Sequence, residues 1–390
     1  MTMTDLLPSV TARSTKGRVP VFRPLLKGEE FPVKFTSAKI VCAVGAHEAA
    51  TLSCTSTELT TTDGLTNKPI SFLYGQAPRT ETFCGYIVDV GETRAGQGSI
   101  SFDLQVLGVT QPMQVGQPRF WTNRTIPSAV EATAFSSKLG FDGHTHPFVW
   151  RSLAQTSESD WTYVTQLVDR IGWGIFNRYG VVMCYDPLKL FQDQGVYASL
   201  VSSQDQDFDP TADRRLIEFN PTEASDLIPQ TLGHKLAYFT DAGQVQVLKE
   251  IGDFQKYVFV SNRVIRNAEE AELYADSSSE TDKWKQMALA RMWGDADIYP
   301  GMCIDVVTTN ARYLRQKFDG RWLVTGTTHS MDAQQYQTML LLRRPGSSTV
   351  VTQNPYQGFW TTAKRPRPTL SIINDEWVSS WTNSYAGSVL

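Results

Sequence analysis

From Ile100 to Val106 the chain alternates without a break. Ile100, Phe102, Leu104 and Val106 are apolar, and Ser101, Asp103 and Gln105 between them are polar. A period of two with one wet side is the pattern of a half-buried antiparallel strand. It recurs around Ile70, Phe72 and Tyr74, and a further apolar run spans Phe83 to Val90 with Gly85 inside it. A glycine there marks a bulge or a close approach of another backbone. Gly91 to Gly98 reads as the turn between two of these strands. More strand signals follow at Leu216–Phe219, Gln244–Val247, Tyr257–Val260, Met302–Val307, Arg321–Thr325 and Tyr336–Arg344, with Asp319-Gly320 as a hairpin turn. The pattern predicts a mainly β chain with an α+β insertion.

The insertion lies between the two β blocks. Thr125 caps a helix with Pro127 in its first turn, a stripe of Val130, Ala134 and Leu139, and Gly140 as its stop. A loop follows through Asp142-Gly143. Ser157 or Ser159 caps a second helix, whose Trp161, Val164, Leu167, Val168 and Ile171 share one face before Gly172. Two strands around a turn at Asn177 to Gly180 come next, closed by Asp186-Pro187. Further helical stretches read at Ala268–Tyr274 and Thr281–Trp293. The boundaries are then an N-terminal arm (1–32), a first β domain (33–120), a helix-hairpin domain (121–200), a second β domain with a helical insertion (201–345) and a C-terminal tail (346–390).

Composition and motifs narrow the function. Net charge is −4, from 36 basic and 40 acidic side chains, which argues against a uniformly basic nucleic-acid binder. The arm is the exception, with seven Lys and Arg against Asp5, Glu29 and Glu30 in residues 1–40. Met1–Lys16 has no apolar run, so no secretory signal is read there. The five cysteines (Cys42, Cys54, Cys84, Cys184 and Cys303) are scattered without a CxxC pair, which suits separate buried thiols. His144 and His146 lack a third metal ligand, and Pro210 replaces the glycine that a calcium loop built on Asp205, Asp207 and Asp209 needs. No phosphate loop, dinucleotide fingerprint, HExxH or GxSxG occurs. The sequence therefore assigns no catalytic, cofactor-binding or metal-binding residue and no cofactor, and it reads as a non-enzyme.

Four stretches carry a resemblance. Gln155, Glu158-Ser159-Asp160-Trp161, Leu167, Arg170, Gly172 and Trp173 resemble the helix-hairpin motif of phage baseplate hub proteins, the late control gene D family, which is related to the hub part of type VI secretion spike proteins. Val168-Asp169 departs from the pair usual there. Phe83-Cys84-Gly85-Tyr86-Ile87 resembles the family's FxGxI strand, and Tyr299-Pro300-Gly301 with Cys303 to Val306 its PGxx strand. Gly320, Trp322, Val324 and His329 fill its GxWxVxxxxH hairpin. All four occur in family order.

The resemblance implies two β-barrel-like tube domains per chain, three chains in a threefold ring matching a sixfold tail tube, and a central DNA channel. Implied partners are other copies of the chain (a homotrimer), a distal tail or tail tube protein, the tape-measure protein and a spike or fibre. DNA would pass without sequence-specific binding, through a lining of mixed or net acidic charge. The location implied is the distal tail tip of a virion. The alternatives are the hub of a contractile injection or secretion particle, and a soluble hydrolase on β domains. Trp161 and Trp173 are expected between the second helix and its hairpin. The tail, rich in aromatics and broken by proline, is expected to dock on another chain.

Overall fold

A computed structural model describes residues 20–382 except 77–78, 92–93, 97, 204–215, 224–231, 240–244, 252–255, 262–268, 271, 274–275, 278–283, 285, 310–317 and 346–366. At 94–95, 202–203, 223, 232–239, 245–251, 256–261 and 308–309 it describes the backbone alone. The acidic loop around Asp205 lies outside the described residues.

The first half contains β1 (Val21–Leu26), β2 (Glu29–Glu30), β3 (Lys34–Ala43), β4 (Ala49–Ser56), β5 (Pro69–Gln76), β6 (Arg79–Val90), β7 (Arg94–Gly96) and β8 (Ser99–Gly108). The middle unit holds β9 (Arg119–Arg124), α1 (Ile126–Ser136), β10 (Gly140–Gly143), β11 (Trp150–Gln155), α2 (Asp160–Asp169), β12 (Gly174–Arg178), β13 (Val181–Tyr185) and α3 (Pro187–Asp193). The second half contains β14 (Val196–Ser203), β15 (Leu216–Glu223), β16 (Leu232–Phe239), β17 (Val245–Ile251), β18 (Lys256–Ser261), β19 (Gln286–Trp293), β20 (Cys303–Thr309), β21 (Gly320–Asp332) and β22 (Tyr336–Arg344). The tail adds a hairpin, β23 (Leu370–Ile373) and β24 (Glu376–Ser379).

Both halves contribute to one 14-stranded sheet whose main path runs β15-β19-β22-β21-β3-β4-β8-β6-β5-β1-β2, with β20 and β14 branching from β21 and β7 from β8. The halves join where β21 pairs antiparallel with β3, from Gly326 opposite Ala43 to Asp332 opposite Ser37. The mainly β class holds. The path has two ends, however, so no sheet among the described residues closes into a barrel.

Among the described residues three cores hold the fold. Beneath the first half lie Ile40, Leu52, Ile70, Phe72, Ile87 and Leu104, the inward set of the alternation read above. The second half packs around Trp322, Val324, Leu340, Leu342 and Phe219. The third core gathers Ile126, Val130, Val164, Leu167 and Val168 from α1 and α2. Hairpin β12–β13 separates these last two: Phe176, Val181 and Met183 face one, while Ile175, Val182 and Cys184 face the other. With both faces covered, Val181–Tyr185 is apolar throughout instead of alternating.

The helix signals of the middle unit translate directly. Thr125 caps α1 by accepting from Ser128 N at 3.3 Å, Ser159 caps α2 by accepting from Thr162 N at 3.2 Å, and Gly172 takes φ +66° at the exit. Four features differ from the sequence reading. Gly140–Gly143, taken as stop and loop, is β10, parallel to β13. Residues 286–293, read as helix, form β19, because Ala288, Ala290 and Met292 face the core every second position. Within the stretch read as an arm, Val21–Leu26 pairs with β5 as β1.

The fourth difference is the described part of the tail, residues 367–382, which packs against the rest of its own chain. Trp377 and Trp381 are each only 6% exposed. The Trp377 Nε1–H donates to the Gly85 carbonyl at 2.8 Å, and its backbone N–H donates to Tyr86 Oη at 2.7 Å. Arg367 reaches Glu81 at 3.1 Å, and Lys138 pairs with Glu376. Trp377 and Trp381 are thus buried against their own subunit, while Tyr356, Phe359, Trp360 and Tyr385 lie outside the described residues.

Candidate functional site

The strand register builds one continuous open face across the sheet. Side chains of directly paired residues lie side by side on the same surface. One row runs Trp293, Gln337, Ser330, Lys39, Thr51, Gln105, Asp89 across β19, β22, β21, β3, β4, β8 and β6. A neighbouring row runs Asp332, Ser37, Ser53, Asp103. These are the outward partners of the buried alternation. Thr51 Oγ1 donates to Gln105 Oε1 at 2.9 Å within the first row. Asp332 accepts from the backbone N–H groups of Gln334 and Gln335 at 2.7 and 2.9 Å, which hold its carboxyl below the usual range. The two rows carry Lys39 against Asp89, Asp103 and Asp332, with hydroxyls and amides between them.

Toward the β15 end the same face turns apolar. Leu289 opposes Leu341, Arg291 opposes Met339, and Met287 opposes Arg343. Met287, Leu289, Trp293, Met339 and Leu341 are 38–49% exposed. Sequence reasoning missed this patch, because a helix assigned to 281–293 hides the alternation that exposes it.

The motif residues form a brace. Asp160 is buried at the start of α2 and accepts from Arg119 Nη1 at 2.5 Å, Arg119 Nη2 at 2.9 Å and Gln155 Nε2 at 2.7 Å. Arg119 also donates to Gln155 Oε1 at 2.9 Å. The fork-shaped guanidinium thus ties β9, β11 and α2 into one unit. Glu158 accepts from the backbone of Thr156 and Ser157, and backbone N–H donation, its own first, keeps its carboxyl low. Gln155, Glu158 and Asp160 were legible as a pattern; Arg119, their partner in space, was not.

Trp161 is buried but reaches beyond its own unit. It stacks on His47 at 4.7 Å and donates Nε1–H to the Gly45 carbonyl at 3.3 Å. Trp173 is half-buried and packs edge-on against His144 and His146 at 6.0 and 5.3 Å. Each of these histidines accepts a backbone N–H, from Asp186 and Phe148 respectively, and burial lowers both. Among the described residues no three His, Cys, Asp or Glu side chains gather as for a metal ion.

The β3–β4 turn is where the three parts of the chain meet. Val44 N–H donates to Thr325 O at 2.9 Å and Gly45 N–H to Ile175 O at 2.6 Å. Glu48, buried behind this turn, accepts from Asn177 Nδ2 at 2.8 Å. Burial raises its carboxyl to about 7, against the opposing pull of Asn177 and Arg178. Burial also lowers His47 to about 4.

The second half's motifs are structural as well. Gly301 takes φ +87° and donates its N–H to Val324 O at 2.7 Å, fastening the turn before β20 to β21. Trp322 is fully buried and donates to Phe318 O at 3.0 Å. His329, buried between Tyr336 and Thr338, is pushed down to about 3 by burial. All four motifs therefore hold the frame, and the open face is left as the surface available for work.

No family model and no curated protein matches this chain. Solved structures do. A tail protein from Neisseria meningitidis aligns with TM-score 0.63 at 11% identity, over 87% of this chain and 99% of its own. A 43 kDa tail protein of prophage MuSo2 from Shewanella oneidensis aligns with TM-score 0.61 at 12% identity, over 84% and 98%. The c3393 protein of E. coli, described as a type VI secretion component similar to bacteriophage T4 tail proteins, aligns with TM-score 0.57 at 13% identity, over 85% and 80%. The fold is thus one that phage tail proteins and a type VI secretion component share.

Proposed function

We propose that the chain is a structural, non-enzymatic hub of a phage tail. Three copies would form a ring at the distal tail tip, adapting a sixfold tube to a threefold tip and enclosing part of the DNA channel. The observation that carries this is the open face described above: one sheet, built by both halves in continuous register, presents aligned polar rows over a chain with a tail-protein fold. Among the described residues β15 and β2 each pair on one side only, and such edges are suited to continuation by neighbouring copies. The polar rows would line the channel. Three aspartates against one lysine, separated by hydroxyls and amides, disfavour tight phosphate binding, since each cationic contact adds affinity and slows passage. Tail tube, tape-measure and spike or fibre proteins would be its neighbours.

The shared fold of the E. coli type VI component favours a second reading, the hub of a secretion particle. Electron microscopy of the purified protein and of its parent particle tests the proposal. A threefold ring at the tube end, on a particle with a DNA-filled capsid, supports the phage hub. A ring on a capsid-less particle selects the secretion hub, and the absence of any ring removes both.

A further inference from the structure

Two surfaces at opposite ends of the open sheet pair an exposed apolar patch with a partly apolar, acid-rimmed cleft. At the β15 end lies the patch of Met287, Leu289, Met339 and Leu341, with Arg343 on its rim and Arg291 paired to Glu218 of β15 at 3.1 Å. With Trp293 beside these four, five large apolar side chains are each 38–49% exposed and offer on the order of 500 Å² of surface, at the upper range for a monomer's largest patch and commonly a contact site. It is confined to the sheet margin: the same face is polar across β21, β3, β4 and β8. At the other end, between the β1–β2 turn and the C-terminal hairpin, an open cleft of about 570 Å³ has Leu26, Phe31, Pro32 and Ile372 in its lining. Its charged rim is Glu29, Glu30, Lys27 and Asp375, and Lys27 is paired with Asp375 at 2.7 Å. Lys68 also approaches Asp375, at 3.7 Å, so Glu29 and Glu30 exceed the remaining positive charge by one.

We infer that these surfaces form one head-to-tail contact, in which the apolar patch of one copy, with Arg343 on its rim, seats in the glutamate-rimmed cleft of the next. The occupant is a second copy because both halves of the match belong to this chain and stand at the two ends of a single sheet. A contact between different patches is heterologous, so it repeats from copy to copy and closes into a ring when the rotation allows. An apolar centre with a charged rim is the ordinary anatomy of a stable interface, and the patch supplies roughly half of the ~800 Å² that each partner commonly buries. This inference rests on the ring proposed above and specifies which surfaces close it.

Light scattering on the full chain, with crosslinking, tests it. The wild-type protein should exceed the single-chain mass of 43.6 kDa. Leu341→Asp should return it to one chain with an unchanged far-ultraviolet circular dichroism spectrum. Glu29→Lys with Glu30→Lys should weaken association at least tenfold, and adding Arg343→Glu should restore part of it. Leu289→Cys combined with Glu30→Cys should give a covalent ladder on oxidation, while either substitution alone should not. A multi-chain wild type unaffected by the aspartate and lysine variants overturns the contact but leaves the ring standing. Dimers formed by Leu289→Cys alone also overturn it, since the patch would then meet itself. A wild type that stays a single chain at every concentration, from a particle without a ring, overturns the ring itself.

Discussion

Trp377→Ala separates two accounts of the C-terminal segment. The indole is 6% exposed, lies in the core formed by α1 and α2, and donates to the Gly85 carbonyl at 2.8 Å. Truncating a buried tryptophan costs about 3–5 kcal/mol through lost transfer energy and the cavity left behind. The Gly85 carbonyl loses its indole donor as well, and Gly85 cannot adapt by growing a side chain, because a Cβ there would overlap the Leu107 carbonyl oxygen. Domains of 150–250 residues lose about 2–4 °C in Tm per kcal/mol, and this longer chain somewhat less, so a fall of about 5–10 °C is expected. Differential scanning fluorimetry of wild type, Trp377→Ala and a deletion of 367–390 measures it, and the deletion should fall at least as far as the point variant. If both variants melt with the wild type and lose only a binding partner, the segment is an external docking tail and the packing argument is wrong.

Other outcomes follow from the same geometry. Arg119→Ala leaves the Asp160 carboxylate buried without its cation, so a loss of about 3–5 kcal/mol is expected in urea unfolding; a loss below 1 kcal/mol would show that the brace is dispensable. Glu48 carries a folded-state pKa of about 7 against an ordinary 4.5, so its contribution to stability should fall as pH rises from about 4.5 to 7, by at most roughly 3 kcal/mol. Glu48→Gln should flatten that part of the profile, and an unchanged slope would contradict the assignment. His47 and His329, lowered to about 4 and 3, act in the opposite sense: they cost stability as pH falls below about 6.5, and His329→Gln should reduce the acid sensitivity. In the assembled particle, Thr51→Arg with Gln105→Arg should slow DNA release while leaving ring formation intact; unchanged release kinetics would place the polar rows outside the channel.

Local pattern alone was enough for much of the frame. Alternation over 100–106 specified β8 and its inward set, because a side chain on a strand can face only one of two sides. Thr125, Ser159 and Gly172 specified the ends of α1 and α2, because capping chemistry is satisfied within three or four residues. Gly85 announced a close backbone approach, and the chain that approaches is β8, with Trp377 on its carbonyl. Sequence also exposed the Gln155–Glu158–Asp160 cluster, though not the cation that completes it.

Tertiary structure decided what depends on distant partners. Arg119 meets Asp160 across 41 residues, and Trp161 meets His47 across the junction, so neither pairing leaves a spacing that could be read. Residues 286–293 became a strand because β15 and β22 stand on either side to pair with them, and an isolated run of Gln-Met-Ala-Leu-Ala-Arg-Met-Trp has strong helical propensity. The same competition hid the apolar patch, which exists only once alternate residues of β19 and β22 are turned outward together. Where Trp377 and Trp381 pack was likewise undetermined by composition, since apolar burial is non-directional. The direction came from the Gly85 carbonyl and Tyr86 hydroxyl, which receive Trp377 at one fixed place on the fold.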